Sequence, residues 1–173
     1  MRRNSGLFLG IAMLLLPGSG GAGEEFRLSC PAGWTREEAP GVTAAFLSPR
    51  RAYANLFDEN VNLVVRDLEG EPDLDGYTAR AVKEIVSSVP AARLLEKGPA
   101  VVDGRPAARV VFTGRLGSLP MKWCQIWTLN EGKSYVFTYS ALEPDYARSL
   151  AGALAVVESF QFTQRSPNPG ESG

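Results

Sequence analysis

The sequence contains no histidine. That removes the usual general base, the usual proton shuttle and the commonest metal ligand together. Ser/His/Asp and Cys/His triads are excluded within one chain. There are only two cysteines. A structural zinc site needs four ligands, usually Cys and His, so that too is excluded. The cysteines stand far apart and form no C-x-x-C redox motif. No glycine-rich phosphate loop occurs, because the glycines at 18–23 lie beside an apolar leader rather than in a strand–helix turn. The longest apolar run, residues 7–16, is ten residues long, against about 20 for a membrane span.

Charge of one sign is also missing. Of 18 basic residues, Arg2 and Arg3 lie at the extreme N-terminus, where there is no acidic residue. The remaining 16 basic and 19 acidic residues give the rest of the chain a net charge of −3. A balance so mild gives no basic stripe for nucleic acid. Arg50-Arg51 is the only later basic doublet and reads as a solvated loop.

What is present begins with a tripartite leader. A short positive head carries Arg2 and Arg3. The apolar run at 7–16 follows, and then small, helix-breaking residues from Pro17 to Gly23. This is the pattern of a secretory signal peptide, with Ala22 or Gly23 as the last residue removed. Domain organisation follows: 1–23 signal, 24–163 a single domain, 164–173 a disordered tail rich in Pro, Ser and Gly. The expected location is periplasmic or secreted, with no membrane span after cleavage.

Within the domain, 25–30, 42–48 and 61–68 read as strands. Asp73 or Asp75 caps a helix running to about residue 89, because Leu74, Tyr77, Ala81, Ile85 and Val89 repeat at spacings of three and four. Pro90 ends it. A further strand is expected at 93–97. Asp103-Gly104 predicts a type I′ hairpin between 100–102 and 107–113. A second hairpin joins 121–129 to 134–140. Glu143-Pro144 opens a second helix with Tyr146, Leu150, Ala153, Leu154 and Val157 on one face. Residues 35–41 read only as a polar stretch.

Several strands are apolar on both faces, so the sheet must be covered on both. The hairpins make it antiparallel, and two helices are available as cover. The expected class is α+β, a three-layer α/β/α sandwich with a central antiparallel sheet.

The order of elements and several local phrases resemble the PsbP/DcrB-like family. Those phrases are Pro31-Ala-Gly-Trp34, Phe46-Leu-Ser-Pro49, Asn60-Val-Asn-Leu-Val-Val65, Leu74-Asp-Gly-Tyr-Thr78 and Gly104-Arg-Pro-Ala107. Leu119-Pro-Met-Lys122, Gln125-Ile-Trp-Thr128, Gly132-Lys-Ser-Tyr-Val-Phe-Thr-Tyr139 and Val157-Glu-Ser-Phe160 complete the set. The resemblance spans about 26–162. It implies an exported, mostly non-enzymatic protein without a shared catalytic motif. One branch of the family comprises luminal auxiliary subunits of photosystem II; another comprises bacterial periplasmic proteins. The photosystem subunits use an N-terminal extension and metal-binding side chains that include histidine. This chain has no histidine and little sequence between the expected cleavage site and Pro31.

Candidate sites are few. Asp67, Glu69, Glu71, Asp73 and Asp75 could hold calcium, but Pro72 and the missing EF-hand glycine favour a solvated turn with helix caps. Asp58-Glu59-Asn60 is a weaker cluster of the same kind. Trp123, Trp127, Tyr135, Phe137 and Tyr139 read as core beneath a helix or as an aromatic groove, with Gln125 the polar exception. Cys30 and Cys124 are an even pair in an oxidising compartment, which favours a bridge. A simple strand meander would hold them too far apart, so the pairing stays open. No catalytic residue, cofactor or metal is expected. The expected function is binding or assisting another envelope protein. The alternative is a small-ligand or metal-binding module, with a carboxylate-dependent hydrolase behind it.

Overall fold

A computed structural model describes residues 26–49, 57–70 and 72–163. The signal segment, the Arg50-Arg51 doublet, Glu71 and the C-terminal tail lie outside the described residues. In chain order the elements are β1 (Phe26–Arg27), β2 (Thr35–Glu37), β3 (Ala44–Leu47), β4 (Asn60–Asp67), α1 (Leu74–Ser88), β5 (Arg93–Val102), β6 (Arg105–Leu116), β7 (Leu119–Asn130) and β8 (Lys133–Leu142). A 3-10 turn (Glu143–Asp145), α2 (Tyr146–Glu158) and β9 (Gln161–Phe162) close the chain. The fold is α+β, with one large antiparallel sheet and two helices.

Seven strands form the main sheet in the order β2-β3-β4-β8-β7-β6-β5. Helix α1 carries the chain from β4 to the far edge, and the meander β5 to β8 walks back until β8 lies beside β4. Their register runs from Asn60↔Ser140 to Asp67↔Lys133. β1 and β9 pair separately and tie the two ends of the domain together.

Local chemistry accounts for the turns and helix ends. Asp103 (φ 47°) and Gly104 (φ 72°) take the two left-handed positions of a I′ turn, as the sequence predicts. Glu131 (φ 48°) and Gly132 (φ 71°) do the same for the β7–β8 hairpin. Asp73 caps α1 by accepting from the Gly76 N–H at 2.7 Å. Val89 leaves the helix in an extended conformation (ψ 120°) because Pro90 follows. Pro144 opens the 3-10 turn rather than α2 itself, which starts at Tyr146. The pieces expected at 93–97 and 100–102 are one strand, bulged between Leu94 and Glu96. β2 lies inside the stretch read only as polar.

Strand alternation sorts the core into two clusters. One holds Phe46, Val61, Leu63, Ile126, Tyr135, Phe137 and Tyr139 with Ala153, Val156 and Val157 of α2. The other holds Val110, Phe112, Met121, Trp123, Trp127 and Val136 with Ile85 and Val89 at the α1 end. The β7–β8 register sets Cys124 opposite Tyr139 and Trp127 opposite Val136. It therefore places the two tryptophans on the α1 side and the Tyr135, Phe137, Tyr139 row on the α2 side. The single aromatic row considered from the sequence is two rows on opposite faces. Side-chain period alone cannot show this, because it fixes faces within a strand but not between strands.

Candidate functional site

The acidic stretch does not converge. Asp67 ends β4, Glu69 lies in the following turn, Asp73 is occupied as the α1 cap and Asp75 sits exposed in the first helical turn. Among the described residues no group of three Asp, Glu or Cys side chains could hold a metal ion. Cys30 is exposed and Cys124 is buried, and both are free. The bridge left open from the sequence is not formed. The Cys30 thiol instead donates to the Trp34 carbonyl at 3.3 Å. Among the described residues no helix is long and apolar enough to cross a membrane.

The α1-side face carries a polar row of which the sequence reading marked only Gln125 and, as part of an acidic cluster, Asn60. Asn60, Asn62, Gln125, Thr138 and Ser140 are all buried there. Gln125 finds its partner directly across the strand pair, donating to Thr138 Oγ1 at 3.1 Å. Asn60 donates to the Asp58 carbonyl at 2.9 Å. Asn62 Oδ1, Ser140 Oγ and Trp123 Nε1 are buried without a partner. The available signal was the pair of alternating polar patterns, Asn60-x-Asn62 and Thr138-x-Ser140, inside otherwise apolar strands.

A second polar cluster pins the start of α2 to the β3–β4 ends. Glu59, almost wholly buried, accepts from Ser48 Oγ at 3.3 Å and from Ser149 Oγ. Its other oxygen lies 3.4 Å from Arg148, which also pairs with Asp145. Nearby, the Tyr139 hydroxyl donates to the Tyr146 carbonyl at 2.9 Å. Burial, reinforced by the Glu59 charge, pushes the Tyr139 hydroxyl well above its ordinary range. Burial does the same to Tyr146, with Cys124 adding to it. It also raises the Cys124 thiol against the opposing pull of Arg109. All three groups are therefore held neutral at physiological pH, and none is an activated nucleophile.

Among the described residues, the least covered surface is one quarter of the main sheet. α2 packs chiefly on β8 and β4. The β1/β9 pair closes the end near the Asp103 turn, where the Phe162 N–H donates to Asp103 at 2.9 Å and Arg105 lies 4.8 Å over the Phe162 ring. What remains is the α2-side face of β5, β6 and β7 at the Arg93 end. By register with Val111 and Cys124, the residues presented there are Arg93, Glu96, Arg109, Thr113, Arg115 and Lys122. Arg109 meets Glu96 at 2.8 Å. Lys122 Nζ stands 4.5 Å over the Tyr146 ring, and Arg115 donates to the Ser118 carbonyl at 2.7 Å. An acid, a base and a nucleophile do not converge at this surface, and its charged groups are set out for contact rather than chemistry.

This architecture is the fold of cyanobacterial PsbP and its structural neighbours. Among solved structures, LpqN of Mycobacterium tuberculosis, a protein involved in cell envelope biogenesis, matches with a TM-score of 0.64 at 15% identity, over 80% of this chain and 83% of that one. PA94 of Pseudomonas aeruginosa, a protein of unknown function, matches at 0.59 with 11% identity, over 80% of this chain and 99% of the other. Cyanobacterial PsbP from Synechocystis sp. PCC 6803 matches at 0.54 with 18% identity, over 86% and 99%. No protein-family model and no curated protein sequence matches the chain.

Proposed function

We propose that this chain, cleaved near residue 23, is an exported, non-catalytic accessory domain. In this reading α1 and α2 cover opposite faces of the sheet as three layers, and the domain acts by binding another protein of the cell envelope. The observation that carries the reading is the uncovered quarter of the sheet. A face that the domain's own helices leave bare and line with charged side chains suits a partner better than a substrate. The envelope-biogenesis role of LpqN, which shares the fold, supports the same direction, though only as analogy. The lack of histidine and the neutral states of Tyr139, Tyr146 and Cys124 support the absence of catalysis.

The test is affinity capture of the tagged protein from its own envelope, beside a broad activity screen with divalent cations present. One or a few stoichiometric partner proteins and no turnover are expected. Saturable turnover abolished by Asp58→Asn or Asp73→Asn would overturn the reading. A small-ligand module is the second reading, and the unpartnered Asn62, Ser140 and Trp123 atoms favour it. It requires a neutral polar ligand whose stabilising effect on melting disappears in Asn62→Leu.

A further inference from the structure

The uncovered quarter has a charge unlike the rest of the chain. Beyond residue 23 the chain is net negative, yet among the described residues the strands of this face present Arg93, Arg109, Arg115 and Lys122 against Glu96. Register gives the layout. Arg93 pairs with Thr113 and Thr113 with Lys122, so these three form one cross-strand row. Adjacent strands lie about 4.8 Å apart, which sets Arg93 and Lys122 about 10 Å apart on either side of Thr113. Arg109 and Arg115 lie along β6 on the two sides of the same threonine. Arg93, Lys122 and Arg115 thus flank Thr113 on three sides, and on the fourth the buried Val111 and Cys124 separate it from Arg109.

We infer that this face docks an extended acidic segment of the protein partner. The inference rests on the binding reading above and adds the chemistry of the partner. Side chains on alternate residues of an extended segment stand about 6.7 Å apart. The nearest cations on this lattice, Arg115 with Arg93 and with Lys122, stand about 8 Å apart at the backbone, a difference that long Arg and Lys side chains take up. Glu96 holds Arg109 in place, and the Tyr146 ring holds Lys122. Both cations are therefore partly preorganised, which lowers the entropy lost on binding. An anionic membrane fits less well. A membrane-docking face adds protruding apolar side chains to its cations. Of the three exposed apolar residues of β5, Leu94 and Val101 pair with Phe112 and Pro106 and so point to the opposite face, which leaves only Leu95, in the bulge, beside the cations.

The probe is a synthetic octapeptide with aspartate at alternate positions, compared with the same peptide carrying asparagine and with vesicles containing phosphatidylglycerol. The protein is the exported chain purified from the envelope fraction, followed by backbone amide NMR at about 1 mM peptide, where a few exposed ion pairs become detectable. The aspartate peptide is expected to shift the amides around Thr113 and to lose on the order of tenfold in affinity in high salt. Arg93→Glu and Lys122→Glu should each weaken it several-fold, while Arg80→Glu and Lys83→Glu on α1 should not. Melting curves check that each variant is folded, and Lys122→Gln serves if the reversal is not. Equal binding of the asparagine peptide, no shift at Thr113, indifference to both reversals, or binding to vesicles alone overturns the inference. Envelope capture of a partner by the wild-type protein, undiminished by the reversals, would overturn the acidic-segment inference and leave the binding function standing.

Discussion

Trp127 offers the sharpest test of the packing. Its side chain is 1% exposed, between the sheet and the first turns of α1. The indole N–H donates to Thr78 Oγ1 at 2.9 Å, and Tyr77 meets the ring edge-on with centroids 6.1 Å apart. Truncation to alanine removes a fully buried ring, which costs about 3–5 kcal/mol. It also leaves Thr78 Oγ1, itself buried, without its donor, adding about 1 kcal/mol. For a domain of this size that lowers the melting temperature by roughly 10–20 °C. Trp127→Phe keeps most of the ring area and loses the hydrogen bond, so its cost should be about 1–2 kcal/mol. Adding Thr78→Val removes the stranded partner, so the double variant should be no less stable than Trp127→Phe alone. Thermal and urea melts followed by circular dichroism measure all three. If Trp127→Ala melts within about 2 °C of wild type, the ring is not part of the core, and a groove reading replaces this one.

Gly152→Ala would place a Cβ 2.7 Å from Trp34 Nε1, so it should destabilise although alanine favours helices by about 1 kcal/mol. Combining it with Trp34→Ala should remove the conflict, as thermal melting will show. Arg148→Ala removes the cation beside the buried Glu59 carboxylate, leaving it only the Ser48 and Ser149 hydroxyls, and should cost about 2 kcal/mol in urea denaturation. Tyr139 and Tyr146 are both raised above their ordinary value, so the unfolded chain loses their protons first. Stability should be level through neutral pH and fall above about pH 10, with Cys124 contributing from about pH 8.5. Tyr139→Phe should flatten that alkaline decline. N-terminal sequencing of the exported protein should begin at Gly23 or Glu24, and a chain beginning at Met1 and pelleting with membranes would contradict the cleavage.

Local features were the legible part of this fold. The α1 cap at Asp73, the Pro90 stop and the Asp103-Gly104 turn each follow from a residue's own backbone preferences. β4 was legible because Val61, Leu63, Val64 and Val65 sit together. The β4–β8 pairing was not, since it joins segments about 70 residues apart and depends on how the whole meander returns. The candidate surface was hidden for the same reason. Arg93, Arg109, Arg115 and Lys122 are scattered through three strands and look like ordinary solvated charges until the register sets them on one face. Glu59 looked like part of a weak acidic cluster. Its partners Ser149 and Arg148 lie far along the chain, so no local spacing could pair them.

The central claim is that this domain works by holding a protein partner on the bare quarter of its sheet. A photocrosslinking side chain at Thr113 tests it in the intact envelope, with the same group at the exposed Ala79 of α1 as the comparison. The account predicts a discrete higher-mass adduct from position 113, reduced by Lys122→Glu, and none from position 79. An adduct from position 79 with none from 113 would contradict it.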